Sequence, residues 1–131
     1  MKVNEVIIGV GSNIDPQNNI DKAKQTIERN HSLIKASSFI ETKPIGYENQ
    51  DNFLNGALLI ETEMDTLSLK SWLKTLETQL GRVKTENKNG PRTIDLDIIV
   101  WNREIVDSEV YERDFLIKSI NELIPELNIE P

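Results

Sequence analysis

Residues Gly90 to Trp101 read GPRTIDLDIIVW, and this stretch organises the reading of the whole chain. Ile94, Leu96, Ile98 and Val100 alternate with Asp95, Asp97, Ile99 and Trp101, the period-two pattern of a β-strand. Asp95 and Asp97 then project from one side of that strand with Cβ atoms roughly 6.5–7 Å apart. Carboxylates so placed repel each other unless something positive lies between them. A divalent cation with oxygen ligands suits the pair, because Mg²⁺ takes one or two carboxylates and fills its other positions with water and phosphate. Just upstream, Gly90 permits close backbone approach, Pro91 stiffens the entry, and Arg92 is set to meet a phosphate with its planar fork. A bare Asp-x-Asp also suits the solvated face of an edge strand. The Gly-Pro-Arg entry favours the metal reading, and together these groups point to phosphoryl-type transfer.

Immediately before this stretch, residues 81–90 are polar and glycine-flanked, and together with Arg92 they bring four basic residues beside the Asp-x-Asp strand. They read either as a solvated loop or as a mobile lid suited to a polyphosphate. Further upstream, Asp65 or Thr66 caps a helix that runs to Leu80 and stops at Gly81. Its core stripe is Leu69, Trp72, Leu73, Leu76 and Leu80, and Glu77 falls on the border of that stripe. Phe53 to Thr62 (FLNGALLIET) and Leu33 to Thr42 read as strands. The irregular loop between them begins at Lys43-Pro44-Ile45-Gly46.

At the start of the chain, Val3 to Val10 reads as a buried strand followed by Gly11-Ser12-Asn13-Ile14. Gly9-x-Gly11 hints at a dinucleotide loop, but Ile14 stands where the third glycine belongs, so that hint is weak. Asp15-Pro16 then opens a covering helix to about Asn30, with Ile20, Ala23 and Ile27 as its stripe. His31 is the only histidine. With Ser32 its only polar neighbour of note, it reads as structural rather than as an acid–base or triad member. Beyond Trp101, Asn102-Arg103 is a turn to a small edge element over Glu104 to Tyr111. Arg113 to Ile117 follows, then a short helix around Ser119 to Leu123 and a proline-containing tail.

The order strand–helix–strand–strand–helix–strand is that of a ferredoxin-like βαββαβ unit. The fold class expected is therefore α+β, with a mostly antiparallel sheet, helices on one face and a short C-terminal extension. The other face is left to line a site. A length of 131 residues fits one domain, 1–131. The net charge of −7 argues against nucleic acid as the main partner, and the absence of cysteine excludes disulfide and thiol chemistry. The N-terminal apolar run is too short for a signal peptide and no stretch is long enough to span a membrane, so a cytoplasmic protein is expected.

The motifs together resemble one family closely. Gly11-Ser12-Asn13, Ser37-Ser38-Phe39, Thr42-x-Pro44-Ile45-Gly46, Phe53-Leu54-Asn55, Glu77, Gly81-Arg82 and above all Gly90 to Ile98 look like 6-hydroxymethyl-7,8-dihydropterin pyrophosphokinase. Arg113-x-Phe115 and Ile124-Pro125-Glu126-Leu127 resemble its C-terminal part. The resemblance implies transfer of pyrophosphate from ATP to the pterin hydroxymethyl oxygen, with release of AMP, in folate biosynthesis. It implies Asp95 and Asp97 as ligands of two Mg²⁺ ions, and Arg82 and Arg92 as the arginines of the catalytic step. It places Thr42, Pro44, Ile45, Phe53, Asn55 and Phe115 on the pterin, and Lys74, Glu77, Lys84, Arg92, Ile98 and Arg113 on ATP. The partners implied are small molecules acted on by a monomer, with no nucleic acid and no membrane.

Asn89 stands where the family usually has an aromatic residue, Lys84 where arginine is frequent, and Phe53 where tyrosine is common. The segment before Arg113 and the C-terminal tail are both shorter than usual, which removes nucleotide contacts and motivates a second reading as a non-catalytic or attenuated relative. A metal-dependent hydrolase or glycosyltransferase built on Asp-x-Asp is a third, remoter reading.

Overall fold

In this computed structural model, residues 2–46, 48–82 and 90–130 are described. Strand β1 (Asn4–Ser12) runs through the middle of the sheet, with Val6 to Gly11 entirely apolar or glycine and almost all of the strand buried. It pairs antiparallel with β4 (Phe53–Thr62) from Asn4↔Thr62 to Ser12↔Leu54, and antiparallel with β5 (Asp95–Trp101) on its other side. Strands β2 (Ser32–Ala36) and β3 (Ile40–Thr42) both pair with β4, and the two-residue β6 (Glu104–Ile105) pairs with the end of β5. The order is β2-β4-β1-β5-β6, with every pairing antiparallel. The fold is α+β, an antiparallel sheet with three helices, consistent with a ferredoxin-like arrangement.

The strand expected over Leu33–Thr42 is broken at Ser37–Phe39. Ser37 leaves the regular ladder but stays tied to β4: its N–H donates to Ala57 O at 2.9 Å, and its Oγ accepts from Ala57 N at 2.8 Å. Phe39 then lies flat over Gly56, where a Cβ would come within 2.7 Å of the ring.

Helices α1 (Pro16–Asn30) and α2 (Thr66–Gln79) share one face of the sheet. Their stripes, Ile20, Ala23 and Ile27 with Leu69, Leu73 and Leu76, close over Val6, Ile8, Leu58, Ile60, Ile94 and Leu96. Both ends of α2 carry capping chemistry. Asp65 accepts from Ser68 N at 2.8 Å. At the other end Gly81 adopts φ 93°, so that Gly81 N reaches Thr78 O and Arg82 N reaches Glu77 O, the paired bonds of a Schellman ending. Pro16 is at N1 of α1 as read, but Asp15 is left-handed and its carboxylate meets the Asn18 side chain instead of a backbone N–H.

The expectation that helices lie on one face holds for α1 and α2 and is corrected by α3 (Asp114–Leu123). This helix begins five residues before the expected one and packs Leu116, Ile117, Ile120 and Leu123 against Ile7, Ala57 and Leu59 on the opposite face. The run Phe115-Leu116-Ile117 reads locally as extended, but three- and four-residue spacing to Ile120 and Leu123 gives a helix its apolar stripe. The second face is therefore half covered.

A bulge corrects the alternation read for β5. Ile7 pairs with Val100 and Ile8 with Ile98, so Ile99 has no opposite residue. Ile94 and Leu96 face α1 and α2, whereas Ile99 and Val100 both join the core beneath α3. The bulge lets β5 pack apolar residues under α3 while Asp95 and Asp97 occupy the uncovered part of that face.

Candidate active site

The uncovered end of the second face is a cleft. Its floor is Gly9, Val10 and Gly11 of β1, with Asp95, Asp97 and Ile99 of β5. One side is formed by Thr42, Lys43, Ile45, Phe53 and Asn55, and the other by Asp107, Glu109, Arg113, Phe115 and Leu116; Arg92 also lines it. Asn55 donates from Nδ2 to Thr42 Oγ1. A Cβ at Gly11 would lie 2.6 Å from Asn55 Oδ1, so a glycine there lets the amide lie across β1.

Asp95 and Asp97 follow the strand alternation and point into the cleft together. Asp95 is gripped by Arg82 Nη1 at 2.8 Å and Arg92 Nη1 at 3.0 Å, while Asp97 has Lys74 Nζ at 3.4 Å. The two acids respond differently to the same burial. Desolvation pushes the Asp95 carboxyl up, but Arg92 and Arg82 outweigh it and hold the group below its ordinary value. For Asp97, desolvation and the neighbouring Asp95 charge act together against Lys74 and raise it to about 7. The pair is thus short of positive charge at Asp97. Among the described residues no group of three or more His, Cys, Asp or Glu side chains is arranged to cage a metal. Two carboxylates fit Mg²⁺, which completes its shell with water and phosphate oxygens.

Lys74 and Glu77 reach this pair from α2 around the free edge of β5. Glu77 is buried, 4% exposed, with Arg82 at 3.0 Å, Lys74 at 3.3 Å and the Leu96 N–H at 2.7 Å. Burial tends to lower the Lys74 and Arg82 pKa values, but their acid partners raise both above the ordinary values. Arg92 is fixed through its main chain: its N–H donates to Asn13 Oδ1 at 2.8 Å, and its carbonyl accepts from Asn13 N at 3.1 Å. The Asn13 amide also donates to Gln50 and Asp51, tying the loop after β3 to the same spot.

Of the residues singled out in the sequence, Thr42, Ile45, Phe53, Asn55, Arg92, Asp95, Asp97, Arg113 and Phe115 line the cleft. Arg82, Lys74 and Glu77 touch its carboxylates or each other. Pro44 sits between two lining residues without lining the cleft itself. Ile98 packs against the core on the α1/α2 face, because residue 98 alternates with Asp97. Lys84 and Asn89 lie outside the described residues, as does most of the lid-like segment 81–90. The floor glycines, Lys43, Asp107, Glu109 and the anchoring role of Asn13 escaped sequence reasoning, although Gly9-x-Gly11 and Gly11-Ser12-Asn13 were visible as motifs. His31 lies elsewhere: its Nδ1 is 3.0 Å from Thr62 Oγ1, its ring meets Trp72 edge-on, and burial lowers its pKa.

The comparisons with known proteins bear on this arrangement. A family model described as 7,8-dihydro-6-hydroxymethylpterin-pyrophosphokinase (HPPK) matches residues 7–125. The chain is similar to the 2-amino-4-hydroxy-6-hydroxymethyldihydropteridine pyrophosphokinase of Bacillus subtilis (strain 168), at 34% identity over 97% of this chain and 82% of that protein. It is 36% identical to the Aquifex aeolicus protein of that name over 96% of this chain and 80% of the relative. It is 33% identical to the Haemophilus influenzae one over 92% and 81%. With the match running through β1, the Asn55 strand, the Asp-x-Asp strand and α3, the chain belongs to the 7,8-dihydro-6-hydroxymethylpterin-pyrophosphokinase family.

Proposed function

We infer that this chain, as one domain over residues 1–131, transfers pyrophosphate from ATP to 6-hydroxymethyl-7,8-dihydropterin in folate biosynthesis. The hydroxymethyl oxygen bonds to the β-phosphorus and loses its proton, while the bond from that phosphorus to the AMP oxygen breaks. The observation that carries the reading is the convergence of Asp95, Asp97, Arg82, Arg92 and Lys74 at one end of a cleft whose other lining includes Phe53, Phe115 and the Asn55 amide. Such a site has a charged half for a polyphosphate and a half with two phenyl rings and one amide for a flat heterocycle.

Each group has a physical task. Asn55 is both donor and acceptor, which matches a heterocycle edge carrying both, and the Thr42 contact fixes its amide. Phe53 and Phe115 offer ring faces for stacking. Asp95 and Asp97 are the residues that would hold Mg²⁺, two ions on our reading, and the metal would supply neutralisation of charge at the phosphates. Arg82 and Arg92 add guanidinium charge there, Arg113 stands across the cleft, and Lys84 belongs to the same nucleotide group. Reaction by positioning and charge neutralisation needs neither cysteine nor a catalytic histidine. The strand order, with β2 and β3 counted as one broken strand, supports the ferredoxin-like βαββαβ unit, with α3 and the tail as its C-terminal extension. We place the activity in the cytoplasm, on a monomer.

The test is AMP release by the purified chain. AMP should form only when ATP, the hydroxymethyldihydropterin and Mg²⁺ are all present. Calorimetric binding of the pterin with no AMP under saturating ATP would replace this reading with that of a non-catalytic relative.

A further inference from the structure

The Glu77 carboxylate has three partners among the described residues, and its position explains why. Leu96 lies between Asp95 and Asp97, and its N–H points away from β1 toward the free edge of the sheet. β6 pairs with β5 only at Val100 and Trp101, so among the described residues no strand completes the ladder at Leu96. The Glu77 Oε2 stands in for that strand, accepting the Leu96 N–H at 2.7 Å. The same carboxylate holds Lys74 through Oε2 at 3.3 Å and Arg82 through Oε1 at 3.0 Å. Each of those cations has its second contact on a different aspartate: Arg82 on Asp95 at 2.8 Å and Lys74 on Asp97 at 3.4 Å. A carboxylate 4% exposed needs such partners, since an unpaired buried charge is costly.

We propose that Glu77 is a positioning residue, serving the site through Lys74, Arg82 and the Leu96 amide without touching nucleotide. This rests on the function proposed above and departs from the family resemblance, which places Glu77 on ATP. The carboxylate already has three partners, and they enclose it on the side of α2 rather than in the cleft. Were Asp95 and Asp97 to take up a divalent cation, their contacts with Arg82 and Lys74 would have to give way. Glu77 is then the anion to which both remain attached, so they stay beside the cleft for the phosphates instead of swinging into solvent. The Schellman ending of α2 supports this, because the Arg82 N–H donates to the Glu77 carbonyl at 3.0 Å and ties the two residues through the main chain as well.

The test combines hydrogen exchange with a double-mutant cycle on nucleotide affinity, read by calorimetry with a non-hydrolysable ATP analogue and Mg²⁺. Glu77→Gln keeps an acceptor for Leu96 but releases both cations. It should weaken analogue binding about tenfold, the size of a lost charge-assisted contact, with pterin affinity unmoved. In a Lys74→Met/Arg82→Met background the same change should cost nothing further, or should even recover affinity by removing an unpaired anion. Losses that multiply across the two backgrounds would mean Glu77 meets the nucleotide itself and would overturn the proposal.

A second arm is independent of nucleotide. The Leu96 amide should exchange at least about tenfold faster in Glu77→Ala than in the wild type, while Glu77→Gln keeps it protected. Unchanged exchange in Glu77→Ala overturns the edge role. Lys74 is half exposed, so Lys74→Met gives a folded check should Glu77→Gln fail to fold. It should lose part of the analogue affinity with Leu96 still protected, and wild-type affinity in that variant overturns the relay. If the wild-type chain binds no analogue, the proposed function fails and the Leu96 arm still decides the edge role of Glu77.

Discussion

The two faces of the sheet are made from the same strands and solve opposite problems. On the α1/α2 face β1, β2, β4 and β5 contribute branched apolar residues, and Ile8, Leu58, Ile60, Leu73 and Ile94 are almost wholly removed from water. On the other face α3 covers only the half carrying Ile7, Ala57 and Leu59; beyond it come glycines, an amide and two acids. Stability is concentrated where the strands are fully covered. Chemistry is concentrated where the covering stops. Asp97 shows the cost: it is a carboxyl held close to another charge with one cation at 3.4 Å.

The largest effect expected from breaking this contrast is at Asp97. Asp97→Asn removes charge from the pair and should cut AMP formation by about three orders of magnitude, since metal clamps supply several kcal/mol of transition-state stabilisation. The same substitution should stabilise the metal-free fold at alkaline pH. The folded pKa of Asp97, about 7, lies above its ordinary value of 3.8, so between those values the native state binds more protons than the unfolded chain. Stability then falls as pH rises through this window, and above pH 7 the wild type carries the whole cost of the charge. Thermal unfolding in a chelator should find Asp97→Asn melting higher than wild type at pH 8, with the gap closing as pH falls through 7 toward 4. A gap that is flat with pH would mean that Asp97 is not strained by its surroundings.

On the packed face the effect should reverse in kind. Leu58 is fully buried among Ile8, Ile60 and the two helices, and Leu58→Ala should destabilise by about 3 kcal/mol through lost transfer energy and a cavity. Its kinetics, measured where it remains folded, should match the wild type. Leu116, on the cleft side of α3, makes the sharper comparison. Its truncation should cost about 2 kcal/mol, nearer the lower end of the range because the site can relax toward the cleft, and it should raise KM for the pterin. Denaturant unfolding beside steady-state kinetics separates the two variants. Equal kinetic damage from both would abolish the division of labour between the faces.

Much of the packed face was legible in the sequence, because periodicity and caps are local signals. Strand β4 runs from Phe53 to Thr62 as read, α1 ends at Asn30, and Asp65 and Gly81 delimit α2 through a side-chain bond and a left-handed turn. The cleft was less legible because its determinants are long-range. The bulge at Ile99 depends on the register with β1, and α3 starts at Asp114 only because Leu116 and Ile117 find Ile7 and Leu59 across the sheet. Glu77 could be placed at the border of its stripe but not recognised as a substitute strand, since nothing near it in sequence reports that β5 has an open edge. Asp95 and Asp97 were readable because two-residue alternation alone puts them side by side. Arg92 was readable from its place just before the strand, Lys74 and Arg82 were named through the family resemblance, and pairing all three with the acids needed the fold.

The smallest effect expected lies at the turn that closes β5 onto β6, away from both faces. Asn102 and Arg103 both have positive φ, 47° and 70°, the two-residue geometry in which hairpins favour Asn-Gly. Asn102 suits its place: its Oδ1 accepts from Glu5 N at 2.8 Å and its amide donates to Asn4. Arg103 does not, since a Cβ in the left-handed region costs about 1–2 kcal/mol and its exposed pairing with Glu5 at 3.1 Å offsets little of that. Glycine at this position pays back part of the gain through a looser unfolded chain, about 0.5–1 kcal/mol. Arg103→Gly should therefore stabilise by about 0.5 kcal/mol in urea unfolding, with AMP formation unchanged. A loss instead of a gain would show that the Glu5 pairing is worth more than an exposed ion pair normally is. A kinetic change would show that the register of β5, and with it the spacing of the two aspartates from their cations, is set from this turn as well as from the Glu77 edge.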